Sequence, residues 1–90
     1  MTSPHFRLVV SGPAERDLAR LPEKAAAAVV ETFGAICANP RRVGKPLSLK
    51  FAGSWAARRG PYRVIYTIDD SDQVVAIEAI GHREDVYRRR

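Results

Sequence analysis

The sequence predicts an α+β fold of order β-α-α-β-β-β, with two helices in the N-terminal half packed on one face of a mainly antiparallel four-stranded sheet. Three observations carry this. Phe6, Leu8 and Val10 alternate with Arg7 and Val9, the period of a half-buried strand. Apolar residues then recur at helical spacing from Ala14 to Ile36, and from Ser54 to Ile80 the period returns to two. The chain's 90 residues, 46% of them hydrophobic, suit one domain spanning 1–90 with a single modest core and a radius of gyration of about 12 Å. Any cleft on such a body is shallow and lies at its surface.

The first strand is expected at His5 to Val10. Ser11 follows as a helix cap with Pro13 in the first turn, and Ala14, Leu18 and Leu21 fall at i, i+4 and i+7. Pro22 ends this short helix. A second begins there, with the Glu23 carboxylate at the positive end of its dipole, and runs until Asn39 and Pro40 stop it. Val29, Val30, Phe33 and Ile36 form its buried stripe, and Cys37 is a small buried hydrophobe. Pro40 to Gly53 holds two prolines and two glycines without a sustained period, so it reads as a loop carrying cations across the surface. A strand at Ser54 to Arg59 turns at Gly60 and Pro61 into another, where Tyr62, Val64, Tyr66 and Ile68 share one face and Arg63, Ile65 and Thr67 the other. Asp69 to Asp72 forms a turn into the last strand, Val74 to Ile80. The ending GHREDVYRRR is too polar for a central strand and is expected to run over the sheet, with Arg88, Arg89 and Arg90 as a frayed tail.

No apolar run approaches the roughly 20 residues that span a bilayer. The start MTSPHFRLVV lacks the charged opening, apolar stretch and cleavage site of a signal peptide, so a cytoplasmic location without membrane contact is expected. One cysteine makes no intramolecular disulfide, and with two histidines it is too little for a structural zinc site. No metal or cofactor is expected.

The net charge of +5 is strongly segregated. Residues 1–40 are balanced, whereas Arg41 to Tyr66 holds seven basic residues and no acid: Arg41, Arg42, Lys45, Lys50, Arg58, Arg59 and Arg63. Thr67 to Ile80 holds four acids and no base. A local excess of this size points to a polyanionic partner. Twelve of the 15 basic residues are arginine, whose planar fork pairs bidentately with phosphate and stacks on bases, so phosphate recognition is favoured over a merely solvated face.

The run ARRGPYRVIYTIDD (Ala57 to Asp70), the ending GHREDVYRR (Gly81 to Arg89), the NP...GKPL segment (Asn39 to Leu47) and the early A-x-x-D-L-x-x-L-P (Ala14 to Pro22) resemble the RelE/ParE superfamily of bacterial type II toxins, the RelE branch most closely. The likeness covers nearly the whole chain. It implies a fold similar to small microbial ribonucleases and a metal-independent mRNA interferase, cutting message in the ribosomal A site by attack of a 2′-hydroxyl on the adjacent phosphate. Such chemistry needs a proton acceptor, a proton donor and fixed cations around a phosphorane that gains charge. By resemblance, Arg63 and Arg83 match phosphate-stabilising arginines. Tyr87 matches a tyrosine that orients or deprotonates the nucleophile or stacks on a base, and His82 a histidine that some branches use as acid or base. Arg58 lies near a basic position on the preceding strand, and Arg41, Arg42, Lys45, Lys50 and Arg59 would add RNA-binding charge. The resemblance also implies a cognate RelB-like antitoxin with an acidic or amphipathic segment, and contact with operator DNA only through it. Many relatives carry two basic residues at i, i+2 on the strand of Arg58, where this chain has Ala56; two readings stand, that Lys50, or Arg59 if the strand bulges, compensates, and that intrinsic activity is low.

Plainer readings stand beside these. Arg63 would pair with an aspartate of the 69–72 turn, Tyr87 would pin the tail, His82 would be structural, and Trp55 would sit at the core rim rather than stack on a base. Two rival functions follow from the same residues: a ParE-like poison of DNA gyrase, and a basic RNA-binding module without catalysis.

Overall fold

The structure, a computed structural model, describes residues 5–88. Along the chain come β1 (Arg7–Val10), α1 (Gly12–Ala19), α2 (Glu23–Ala38), α3 (Pro40–Val43), β2 (Lys45–Pro46), a 3₁₀ turn (Leu49–Phe51), β3 (Trp55–Arg59), β4 (Tyr62–Asp69), β5 (Val74–His82) and α4 (Arg83–Arg88). The sheet has five strands in the order β1-β5-β4-β3-β2, with β1 parallel to β5 and the other pairings antiparallel. The expected four-stranded sheet is thus corrected to five. The added strand is two residues long, too short to show a period, and is defined only by pairing Lys45 with Ala56 and Pro46 with Trp55.

The first helix starts at a side-chain cap. Ser11 Oγ accepts the Ala14 N–H at 3.2 Å and starts α1. In α2, Val29, Phe33 and Ile36 are buried as expected, joined by Thr32 and Cys37, but Val30 is 50% exposed. One residue is 100° around a helix, and that step carries Val30 off the buried stripe onto its flank.

The cationic segment is not a plain loop. Its α3 turn is pinned to the core by Tyr66, whose hydroxyl donates to the Pro40 carbonyl at 2.6 Å. Gly44 packs so closely on that ring that a Cβ would strike the hydroxyl. A short proline-led turn and a glycine forced by close approach look like loop punctuation in sequence, which is why the segment reads as irregular.

β4 is the central strand, and its alternation divides two cores. Val64 and Tyr66 face the helices with Val29, Ile36 and Ile77, while Ile65 faces the other way with Ala79 beneath Val86 of α4. A bulge in β5 keeps both sets in phase: Ile65 pairs with Ala79 and Tyr66 with Ile77, so Glu78 is passed over. Ile77 and Ile80, three apart, can then both enter the main core. The strand continues through Gly81 and His82, and α4 follows with Glu84 and Asp85 in its first turn. The polar ending is therefore two strand residues and a helix that covers part of the sheet's second face. Arg89 and Arg90 lie outside the described residues, as does the Arg88 side chain. Among the described residues no helix is long and apolar enough to cross a membrane, and no group of three or more His, Cys, Asp or Glu could hold a metal ion.

Candidate functional site

Arg58 on β3 and Arg63 on β4 are register partners, so their side chains leave the same face of the sheet. Strand alternation makes this the α4 face, because Ala57 and Val64 beside them enter the helix-side core while Ala56 and Ile65 lie against the second core. On its other edge Arg63 is paired with Gly81, which has no side chain to fill the space. Arg83 opens α4 and is fixed by its backbone N–H, which donates to the Pro61 carbonyl at 3.1 Å. The β3–β4 turn that permits this places Gly60 at φ +58°, a left-handed conformation suited to glycine.

These elements enclose a groove of about 620 Å³ lined by Arg58, Gly60, Pro61, Arg63, His82, Arg83, Glu84 and Asp85. Arg63 Nη1 donates to the Tyr62 carbonyl at 3.2 Å, which steadies its guanidinium. Among the described residues, the ion pairs are Arg41 with Asp70 and Arg59 with Glu31; none involves Arg58, Arg63 or Arg83. Three guanidinium groups from β3, β4 and α4 therefore stand over one shallow space, only partly offset by Glu84 and Asp85. Such a constellation can hold the oxygens of one phosphodiester.

The remaining residues singled out in the sequence separate into groups. His82 is the register partner of Tyr62 on the helix face of the sheet, with ring centroids 4.9 Å apart and planes at 55°. It contributes to the groove rim. Tyr87 does not line the groove. Its ring meets Phe51 edge-on at 5.7 Å, against the second core, and the Lys50 ammonium sits 5.3 Å from the Phe51 ring centre. Lys50, Phe51 and Tyr87 thus form a neighbouring patch on the α4 side.

Arg59 lies on the opposite face, where it meets Glu31 of α2 at 2.8 Å, so it does not stand in for a cation at Ala56. Lys45, the register partner of Ala56, leaves the same face as Ala56 and Arg58. The aspartate of the 69–72 turn pairs with Arg41 rather than Arg63: Arg41 grips Asp70 bidentately at 2.9 and 2.6 Å and lies 5.9 Å from the centre of the Trp55 ring. That hydrogen bond raises the Arg41 pKa and lowers the Asp70 carboxyl below its ordinary value. Arg42 is exposed on α3.

Sequence reasoning missed Phe51 as the support of Tyr87 and Tyr62 as the support of His82. The Tyr62–Arg63 dipeptide carried the second signal, since alternation sends neighbours to opposite faces, but the partner across the sheet depends on register. Phe51 carried none, because a 3₁₀ turn has no apolar period to read.

The family described as ParE toxin of type II toxin-antitoxin system, parDE, matches residues 8–87. The chain is 52% identical over 77 residues to Toxin RelG of Mycobacterium tuberculosis, covering 84% of this chain and 88% of that one. It is 49% identical over 84 residues to Toxin RelE of the same organism, covering 92% and 87%. Among solved structures, a chain of the RelBE2 toxin-antitoxin complex from Mycobacterium tuberculosis superposes with a TM-score of 0.83 at 45% identity, over 88% of this chain and 99% of that one.

Proposed function

Because the chain belongs to the RelE/ParE superfamily of type II toxins, we propose that it is a metal-independent endoribonuclease that cuts ribosome-bound mRNA in the cytoplasm, acting as one domain spanning 1–90. The observation that carries this is the convergence of Arg58, Arg63 and Arg83 on one groove without an ion-pair partner among the described residues. Like charges brought together in this way oppose folding unless an anion joins them.

In the proposed reaction the three guanidiniums hold the non-bridging oxygens of one phosphodiester. The 2′-oxygen attacks phosphorus in line, forming the P–O2′ bond, and its proton passes to a base. The P–O5′ bond breaks and the departing oxygen receives a proton, leaving a 2′,3′-cyclic phosphate and a 5′-hydroxyl. The arginines stabilise the charge gained by the phosphorane. His82 at the rim of the groove takes part in the proton transfer. Tyr87 on its adjacent patch receives a neighbouring base by stacking, while Lys45, Lys50 and Arg42 draw in the RNA backbone. A RelB-like antitoxin, encoded nearby, neutralises the toxin by covering this basic face and links it to operator DNA.

A second reading, inhibition of DNA gyrase, is favoured by the ParE description of the matched family. The RelG and RelE names of relatives sharing about half their residues weigh toward RNA. Primer extension on ribosome-bound message separates the two. Cuts at fixed codon positions that vanish in Arg63→Ala and Arg83→Ala support the ribonuclease, and stalled gyrase complexes without RNA cuts support the alternative. Growth arrest by the lone chain, relieved by coexpressing the adjacent reading frame, tests the antitoxin.

A further inference from the structure

Phe51 and Tyr87 meet edge-on, with ring centroids 5.7 Å apart and planes at 60°, but the two rings stand on supports of very different stiffness. Tyr87 belongs to α4, a helix of six residues, too short to hold its shape by its own hydrogen bonds. Phe51 sits in the β2–β3 connection, where its N–H donates to the Ser48 carbonyl at 3.1 Å and its carbonyl accepts the Ser54 N–H at 3.0 Å. The Ala52 N–H donates to the Leu49 carbonyl at 3.0 Å, and the Leu47 N–H to the Ser54 carbonyl at 2.9 Å. Ser54 is itself buried, and its hydroxyl donates to the Glu78 carboxylate at 3.1 Å. The same turn holds Leu49 at a left-handed φ of +58°, a conformation leucine adopts only where the surrounding backbone imposes it.

We propose that Phe51 is a positioning residue for RNA cleavage, fixing the Tyr87 ring so that a base stacked on it keeps the scissile phosphate aligned for attack; the proposal rests on the ribonuclease reading above. Arg83 and Tyr87 are four residues apart on α4, so they stand on one side of the helix with Cβ atoms about 5–6 Å apart. Arg83 lines the phosphate groove, which places the Tyr87 ring within reach of a base attached to a phosphate held there. In-line attack needs the 2′-oxygen, the phosphorus and the departing 5′-oxygen near a straight line. Stacked neighbouring bases do not give that geometry, so one base must be drawn aside and held. A ring that swings with the end of a short helix would hold it loosely. Leu47 and Ala56 pack against the same small core as Tyr87, which seats the phenol ring on the sheet, and the edge-on contact with Phe51 sets its tilt. In that arrangement Tyr87 keeps at least one face that Phe51 does not cover.

The test is cleavage of ribosome-bound message under single-turnover conditions over a range of protein concentrations, with the Tm of each variant measured alongside. Phe51→Leu keeps an apolar side chain in the turn and removes the ring. It should lower the saturating rate about tenfold, the order of one lost base stack, with the half-saturating concentration and Tm little changed. Phe51→Tyr should restore the rate. Phe51→Leu combined with Tyr87→Ala should be no slower than Tyr87→Ala alone, because Phe51 acts through that ring. Proton cross-relaxation between the two rings, and the ring-current shifts of Tyr87, should be present in the wild type and lost in Phe51→Leu. A saturating rate for Phe51→Leu within about twofold of wild type overturns the role of Phe51 and leaves the ribonuclease. So does a loss that tracks a fallen Tm, one that Phe51→Tyr does not restore, or losses that add in the double variant. Wild-type protein that cuts no message retires the ribonuclease reading and this role with it.

Discussion

Replacing Arg58 with glutamine should make the protein more stable and less active. Arg58 and Arg63 are register partners on one face, which holds their Cβ atoms about 5 Å apart. Two unit charges about 5–8 Å apart in a water-like dielectric repel by about 0.5–0.8 kcal/mol. Arg58 has no ion pair to lose among the described residues, so glutamine, which keeps part of the stem, should recover most of that energy. For a chain of this size the gain corresponds to a rise in Tm of about 2–6 °C. The assay is thermal unfolding at low salt, repeated at 1 M salt, where a Debye length of about 3 Å should erase the difference. Inorganic phosphate should raise the wild-type Tm more than that of the variant, because an anion bound only by the folded state stabilises it by mass action. A variant that is less stable than wild type at low salt, or a gain that persists at 1 M salt, would refute the convergence of charge described here.

Other consequences follow from the supports of the groove. Burial pushes the Tyr66 hydroxyl up to about 12, above its unfolded value of about 10. The neutral form is the one that folding favours, so its contribution is complete below pH 10 and is lost as pH rises from 10 through about 12, an alkaline loss of about 2–3 kcal/mol. Tyr66→Phe should remove that step in alkaline denaturation and cost about 1–3 kcal/mol near neutrality by leaving the buried Pro40 carbonyl without its donor. Gly44→Ala should cost about 1–3 kcal/mol in denaturant unfolding, because the new methyl meets the Tyr66 hydroxyl. Val86→Ala, at a fully buried position under α4, should cost about 2 kcal/mol, and hydrogen exchange should report the loosening in α4 before β4. RNA cleavage by that variant should fall more than binding of inorganic phosphate, since Tyr87 rides on the same helix.

Much of the fold was legible because it is written in alternation. The phase of Tyr62 to Ile68 told which residues of β4 face the helices, and that phase also set Arg63 on the other side. The buried stripe of α2 was readable except at Val30, where one residue of helical rotation decides between core and surface. Pairing was not legible: nothing in the spacing of Lys45 and Ala56, or of Tyr62 and His82, reveals that they sit opposite one another, because register depends on turns and on the Glu78 bulge. The arginine groove was legible in its members and less so in its limits. Arg59 sits next to Arg58 in sequence yet pairs with Glu31 across the sheet, and the polar ending concealed a helix anchored by the fully buried Val86.

The claim that most needs direct measurement is that Arg58, Arg63 and Arg83 hold one phosphodiester. A dinucleotide with a 2′-O-methyl group at the scissile position presents that group without allowing cleavage, and its titration can be followed through the guanidinium resonances. All three arginines should shift together with one saturation curve, while Arg41 and Arg59, held by Asp70 and Glu31, stay still. Independent curves for the three, or a response led by Arg41 or Arg59, would contradict it.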